Sequence, residues 1–282
     1  MDLCNLSTIK SIMAEAGITF RKEFGQNFLT NRIIPEEISE NCADTSDRLI
    51  IEIGPGIGCL TQELAMRYSK VVAVEIDKGL IPVLARTLEE FDNITVINDD
   101  IMKIDIAELV EKYSDGKPVS VCANLPYYIT TPVLMHLLES GVQFEAITVM
   151  VQKEVADRLC AKAGTSEYGA ITVTCQRYGK VVKLFDVPKH CFYPVPGVDS
   201  AVVSIIPAEK EEIYCKDEQL LTKVIRATFN QRRKTLVNAL SAEIKHLSKA
   251  EIAEVIVKCG HREDIRGEKL TLAQFAEIVN NM

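Results

Sequence analysis

Three short stretches of the chain carry residue types that can do chemistry together. Glu52-Ile53-Gly54-Pro55-Gly56-Ile57-Gly58 follows an apolar run and opens an amphipathic one. That is the arrangement of a nucleotide-binding turn, in which glycines let the backbone approach a ligand. The spacing is G-x-G-x-G, with Cys59 where a dinucleotide fingerprint would put its third glycine. Alone, such a loop can be no more than a tight turn. Glu75 ends the next β-rich run and is placed to accept both hydroxyls of a ribose, whereas Asp77 beside it reads as a helix cap. Asn98-Asp99-Asp100-Ile101 ends the run after that, where the Asp100 carboxylate can meet the exocyclic amine of an adenine. Gly54, Gly56, Glu75 and Asp100 together fit an adenosine ligand.

The third stretch is Asn124-Leu125-Pro126-Tyr127, of the N/D/S-x-P-Y/F class, after the fourth apolar run. An aromatic amine is a poor nucleophile because its lone pair is delocalised into the ring. The Asn124 side-chain oxygen and the Leu125 carbonyl can accept its two N–H bonds and favour an sp3-like nitrogen as the transition state forms. Pro126 fixes the backbone that aims these acceptors and has no N–H of its own. Tyr127 offers a face on which an extruded base can stack. Phe192, in Cys191-Phe192-Tyr193-Pro194-Val195-Pro196-Gly197, is either a second stacking face or ordinary packing beside prolines. Cys122 is rejected as a nucleophile: no histidine lies near it in sequence, and direct N-methylation needs no covalent enzyme intermediate.

These stretches need a scaffold that aligns them, and the sequence has one. Strand-like runs at Leu49–Ile53, Val71–Glu75, Ile94–Ile97, Val119–Ala123 and Ala146–Val151 alternate with helix-like segments at Gly58–Tyr68, Gly79–Glu90, Ile104–Tyr113 and Thr131–Leu138. This is the pattern of an α/β fold with a parallel sheet, and each chemical stretch sits at the carboxyl end of a strand. Val181–Val187 and Ser200–Ile206 are joined by a Pro-rich segment and read as an antiparallel pair at a sheet edge. Beyond Pro207 apolar residues recur at helical spacing in Leu220–Phe229, Ile252–Val257 and Leu272–Ile278. The expected division is a catalytic domain over residues 1–208 and a small all-helical domain over 209–282.

The chain has 282 residues and a net charge of −8, which at first sight disfavours a nucleic-acid partner. Residues 1–208 hold the whole acid excess, however, and residues 219–242 contain Lys223, Arg226, Arg232, Arg233 and Lys234 without an acid. This run is read either as a phosphate-contacting patch or as a solvated helix face. Nine cysteines without a C-x-x-C pair, scattered apart from the four histidines, give no metal pattern and suggest reduced thiols of a cytoplasmic protein. No signal peptide and no membrane span are expected.

In order along the chain, Gly25-Gln26-Asn27-Phe28-Leu29, the glycine loop, Asn124-Leu125-Pro126-Tyr127-Tyr128-Ile129, Gln152-Lys153-Glu154-Val155-Ala156, the Phe192 loop and Phe229-Asn230-Gln231-Arg232-Arg233-Lys234-Thr235-Leu236 resemble the bacterial 16S rRNA adenine dimethyltransferases. The resemblance runs from about Phe24 to Leu240, with Phe24 standing where many relatives have leucine. It implies a class I methyltransferase domain, Rossmann-like with a seven-stranded, mostly parallel sheet, and a helical RNA-binding domain. It also implies S-adenosyl-L-methionine as cofactor, with Asn27 and Leu29 joining Gly54, Gly56, Glu75, Asp100 and Asn124 in holding it. The implied substrate is two adjacent adenosines near the 3′ end of 16S rRNA in the small ribosomal subunit or its precursor, with RNA held by Arg226, Arg232, Arg233 and Lys234. A monomer acting away from membranes is expected. Three other readings compete: a 23S rRNA adenine methyltransferase, a non-catalytic RNA-binding assembly factor, and a NAD-dependent dehydrogenase. The last has no use for Asn124 and Tyr127.

Overall fold

The computed structural model describes residues 1–18, 26–207 and 213–282. Phe24 and Gly25 of the first motif and the expected boundary at 208/209 lie outside the described residues.

Helix α1 (Leu6–Glu15) begins at Asn5, whose side chain accepts from the N–H groups of Ser7 and Thr8. The two-residue strand β1 (Phe28–Leu29) and helix α2 (Ile33–Glu40) follow. Strands and helices then alternate as β2 (Leu49–Ile53), α3 (Cys59–Arg67), β3 (Lys70–Glu75), α4 (Ile81–Thr87), β4 (Ile94–Asn98), α5 (Ile106–Tyr113), β5 (Val119–Asn124), α6 (Thr130–Glu139), β6 (Ile147–Gln152) and α7 (Lys153–Leu159). Next come α8 (Ala170–Tyr178), β7 (Gly179–Val187), β8 (Phe192–Tyr193) and β9 (Ser200–Pro207). The chain ends in α9 (Glu218–Asn230), α10 (Leu236–Glu243), α11 (Lys249–Lys258) and α12 (Leu272–Asn281).

Seven strands form one sheet in the order β4-β3-β2-β5-β6-β9-β7. Pairing is parallel from β4 through β6, and β9 runs antiparallel to β6. All five residues of β2 are buried, which is why a continuous apolar run rather than an alternating one encodes it. Successive strands leave β2 on one side toward β3 and β4, and continue from β5 toward β6 on the other. The order reverses between β2 and β5, and a crevice opens above their carboxyl ends, the place where open α/β sheets bind ligands. β1 and β8 form a separate antiparallel ladder that pairs Phe28 with Tyr193 and Leu29 with Phe192.

The chain makes two compact units, and their division differs from the expected one. The first comprises Met1–Ala156 and Val182–Pro207; the second joins Asp157–Val181 to the segment Ala208–Met282. Residues 157–181, read from sequence as part of the catalytic domain, share a core with the C-terminal helices. Tyr168 is buried there, donates its hydroxyl hydrogen to the Leu270 carbonyl at 2.9 Å, and meets Phe229 edge-on at 5.8 Å between ring centroids. Ala161 and Val173 belong to the same cluster as Leu221, Leu236 and Phe275. The segment lies between two strands of the sheet, so sequence order alone assigned it to the wrong core. The helices of this unit start on strong caps: Asp217 for α9, Thr235 for α10, and reciprocal Ser248–Glu251 and Thr271–Gln274 boxes for α11 and α12.

Candidate active site

The crevice above β2 and β5 holds a cavity of about 280 Å³. Asn27, Leu29, Gly54, Gly56, Glu75, Asp100, Asn124, Leu125, Pro126 and Tyr127 all line it, so residues spread over a hundred positions of sequence meet in one place. The glycine loop has a physical reason for its composition. Gly56 has φ +61°, and a Cβ there would lie 3.0 Å from the Phe28 ring. Gly58 has φ +97° and would meet Leu88 at the same distance. Any side chain would be strained and crowded at both positions.

Glu75 is buried at the end of β3 and is held by two backbone donors. Its Oε2 accepts from Gly56 N–H at 3.2 Å and its Oε1 from Asp77 N–H at 2.8 Å. Burial raises its pKa above the usual carboxylate range; the backbone N–H groups of Asp77, Gly56 and Ile76 pull the other way, and the charge of Asp77 adds to the rise. Each oxygen keeps a lone pair with which to accept from a ligand hydroxyl. Asp77 caps the turn that leads to α4 through the N–H of Gly79 and also accepts from Gln26 Nε2 at 2.9 Å. Asp100, after β4, accepts from Met102 N–H at 3.0 Å.

The tetrapeptide is clamped on both sides. Asn124 Nδ2 donates to the Asn27 carbonyl at 3.4 Å, which leaves Oδ1 as the acceptor end of the amide. Leu125 N–H donates to the Met150 carbonyl at 3.2 Å, while its own carbonyl accepts no hydrogen bond among the described residues. The Tyr127 ring is half-buried, and its hydroxyl is 2.8 Å from Ser200 Oγ at the start of β9. Burial raises the Tyr127 pKa, the Ser200 bond lowers it, and the charge of Asp199 raises it.

Two sequence assignments are corrected. Phe192 is 2% exposed, pairs with Leu29 across the β1–β8 ladder and belongs to the core of the first unit; in this structure its ring is packing and offers no free stacking face. Arg232 does not project freely from a basic patch. Its Nε meets Glu268 at 2.7 Å, and its Nη2 donates to the carbonyls of Thr165 at 3.3 Å and Ser166 at 2.6 Å. It is a staple between the 160s loop and the segment before α12. Arg226, Arg233 and Lys234 are exposed on the second unit. Cys122 is fully buried with its Sγ 3.0 Å from Cys42 Sγ, and burial pushes its thiol well above the ordinary range, which fits an inert thiol.

Sequence reasoning gave no role to Ser200 or Glu52. Ser200 was invisible because its partner lies 73 residues away. Glu52 was visible, since an acid inside a five-residue, otherwise apolar strand is anomalous. It lines the cavity at 1% exposure, and its Oε2 has no hydrogen-bond partner.

Comparison with known proteins agrees with this geometry. Residues 17–282 match the family model described as ribosomal RNA adenine dimethylase. Ribosomal RNA small subunit methyltransferase A of Lachnoclostridium phytofermentans is 50% identical over 264 residues, covering 93% of this chain and 91% of the relative. The protein of the same name from Streptococcus pneumoniae strain D39 is 43% identical, with 99% and 98% covered. Among solved structures, a dimethyladenosine transferase from Plasmodium falciparum superposes with TM-score 0.75 at 26% identity, covering 89% of this chain and 95% of that one. The 23S rRNA methyltransferase ErmE superposes with TM-score 0.69 at 23% identity, with 90% and 98% covered, a likeness of fold. A match that starts ahead of the glycine loop and runs to the last helix takes in both units, and the chain belongs to the ribosomal RNA adenine dimethylase family.

Proposed function

We propose that this chain transfers methyl groups from S-adenosylmethionine to N6 of two adjacent adenosines in a hairpin loop near the 3′ end of 16S rRNA, giving N6,N6-dimethyladenosine during small-subunit assembly in the cytoplasm. The observation that carries the reading is that Asn124, Leu125 and Tyr127 share one cavity with Glu75 and Asp100. The same cavity thus has acceptors for an adenosyl ligand and acceptors for an amine. Strong similarity to small-subunit methyltransferases, against a fold-level likeness to the 23S enzyme, favours the 16S substrate.

The residues present fit S-adenosylmethionine. Glu75 keeps lone pairs for ribose hydroxyls, Asp100 can accept from the adenine amine, and Gly54, where a Cβ would meet nothing within 4 Å, leaves a ligand room to approach the backbone. When bound, this cofactor supplies an electrophilic methyl group on a positively charged sulfur. Asn124 Oδ1 and the Leu125 carbonyl accept the two N–H bonds of the target amine, which localises the nitrogen lone pair for attack. Neither acceptor must remove a proton beforehand; the amine loses it to water after the methyl has moved. A monomethylated amine retains one N–H and a lone pair, so one acceptor suffices for a second transfer. Tyr127, anchored through Ser200, provides the stacking face for the extruded base. In the second unit we assign phosphate contacts to Arg226, Arg233 and Lys234, with Arg232 holding the loop that supports them.

The test is nucleoside mass spectrometry of undermethylated small-subunit particles after exhaustive reaction with the purified protein. N6,N6-dimethyladenosine at two neighbouring positions is expected. Monomethyladenosine alone, or methylation of cytosine or guanine, refutes the assignment of pocket and chemistry.

A further inference from the structure

Tyr127 and Tyr128 are adjacent in sequence and both line the cavity. The sheet order places the carboxyl end of β5, which carries both, between β9 on one side and β3 and β4 on the other. Tyr127 binds Ser200 at the start of β9. Tyr128 shares its cavity with Asp100, whose charge, after burial, raises the tyrosine hydroxyl pKa. Tyr128 is 59% exposed, and its hydroxyl has no hydrogen-bond partner among the described residues. Ile76, directly after Glu75, and Met102, two residues after Asp100, are likewise exposed, and all three side chains line the same cavity.

Exposed apolar side chains scattered singly over a surface need no explanation, but three converging on one cavity mouth do. Ile76 follows Glu75 and Met102 lies two residues beyond Asp100, the two acids that suit an adenosyl ligand, and Tyr128 shares their cavity, which Ser200 does not line. We propose that Tyr128 is a cofactor-binding residue whose ring covers the adenosine end of bound S-adenosylmethionine from the Asp100 side. The inference rests on the cofactor reading above. The two tyrosines then divide the work: Tyr127 faces the target base, and Tyr128 shields the cofactor from water. Because the contact is made by the ring face, phenylalanine serves as well as tyrosine.

The chain contains no tryptophan, so Tyr128→Trp introduces a single fluorescent reporter at the cavity mouth. S-adenosylhomocysteine, added without RNA, is expected to change the emission of that tryptophan saturably. By calorimetry, Tyr128→Ala is expected to weaken S-adenosylhomocysteine about tenfold, the scale of one aromatic stacking contact, with Tyr128→Phe within about twofold of the parent. Adenosine alone should lose affinity by a similar factor, since the contact is at that end. Wild-type affinity in Tyr128→Ala overturns the proposal, as does a tryptophan signal that ignores S-adenosylhomocysteine and responds only to an RNA hairpin, which would make the ring an RNA platform. Failure of the parent protein to bind S-adenosylhomocysteine would instead refute the cofactor reading itself, and this inference with it.

Discussion

Replacing Glu52 with glutamine tests the energetics of the site without touching the proposed chemistry. The Glu52 carboxyl sits inside β2 with Oε2 unpartnered, and burial pushes its pKa up to about 8. Thr61 faces it from α3 without a good hydrogen bond and offsets part of this, while the nearby charge of Glu75 adds to it. Its ordinary value is 4.5. Below that pH the carboxyl is protonated in both folded and unfolded chains, and the two differ by nothing. Between 4.5 and about 8 the folded chain holds a proton that the unfolded chain has released, so folding stability falls as pH rises. Above about 8 the loss is complete. At about 1.4 kcal/mol for each pH unit crossed, the full loss is of the order of 5 kcal/mol. Glutamine has the same shape and no titration, so this dependence vanishes in Glu52→Gln, while the effects of other titrating groups cancel in the difference. Urea unfolding from pH 5 to pH 9, with amide hydrogen exchange in β2 as a local readout of the first unit, measures it. The variant should gain on the parent by several kcal/mol between pH 5 and pH 8. Parallel pH profiles for the two proteins would refute an uncharged, unpartnered Glu52.

Contacts at the tetrapeptide and in the second unit set three further outcomes. Ser200→Ala and Tyr127→Phe each remove one side of the same hydrogen bond, so both should lower turnover while leaving cofactor affinity unchanged, and the double variant should be no worse than the poorer single one; additive losses would show that Ser200 does not act through Tyr127. Arg233→Gln with Lys234→Gln should weaken RNA binding and flatten its salt dependence by nearly one unit of slope per lost phosphate contact. Arg232→Gln should leave that slope alone and instead lower the stability of the second unit by about 1–2 kcal/mol, a modest figure because the side chain is 39% exposed. A salt slope that responds to Arg232 and not to its neighbours would reverse these roles.

The central strands were legible because burial on both faces writes them as unbroken apolar runs: Leu49–Ile53 agrees end to end with β2. The helices that escaped reading, α1, α2, α7, α8 and α10, are short, and most take their stability from packing that sequence does not display. For α1 the Asn5 cap and the buried Ile9, Ile12 and Met13 were signals that could have found it. The site was legible for a related reason. In the parallel part of an open α/β sheet, whatever follows a strand lies at the same edge, so Gly54, Glu75, Asp100 and Asn124 converge by topology alone. Contacts across long sequence separation obey no such rule, which is why the Asn27 carbonyl on Asn124 and the Ser200 hydroxyl on Tyr127 could not be read. The same limit decides between residues of identical type. Arg232 and Arg233 are neighbours with equal claims on RNA in the sequence, yet Glu268 and two carbonyls hold one of them while the other faces solvent. Phe192 differs from Tyr127 in the same way: its surroundings give it a core and no open face, whereas a single hydroxyl partner keeps the Tyr127 ring at the cavity wall. Residue type therefore proposes a role in this chain, and the distant partner determines whether the side chain is free to perform it.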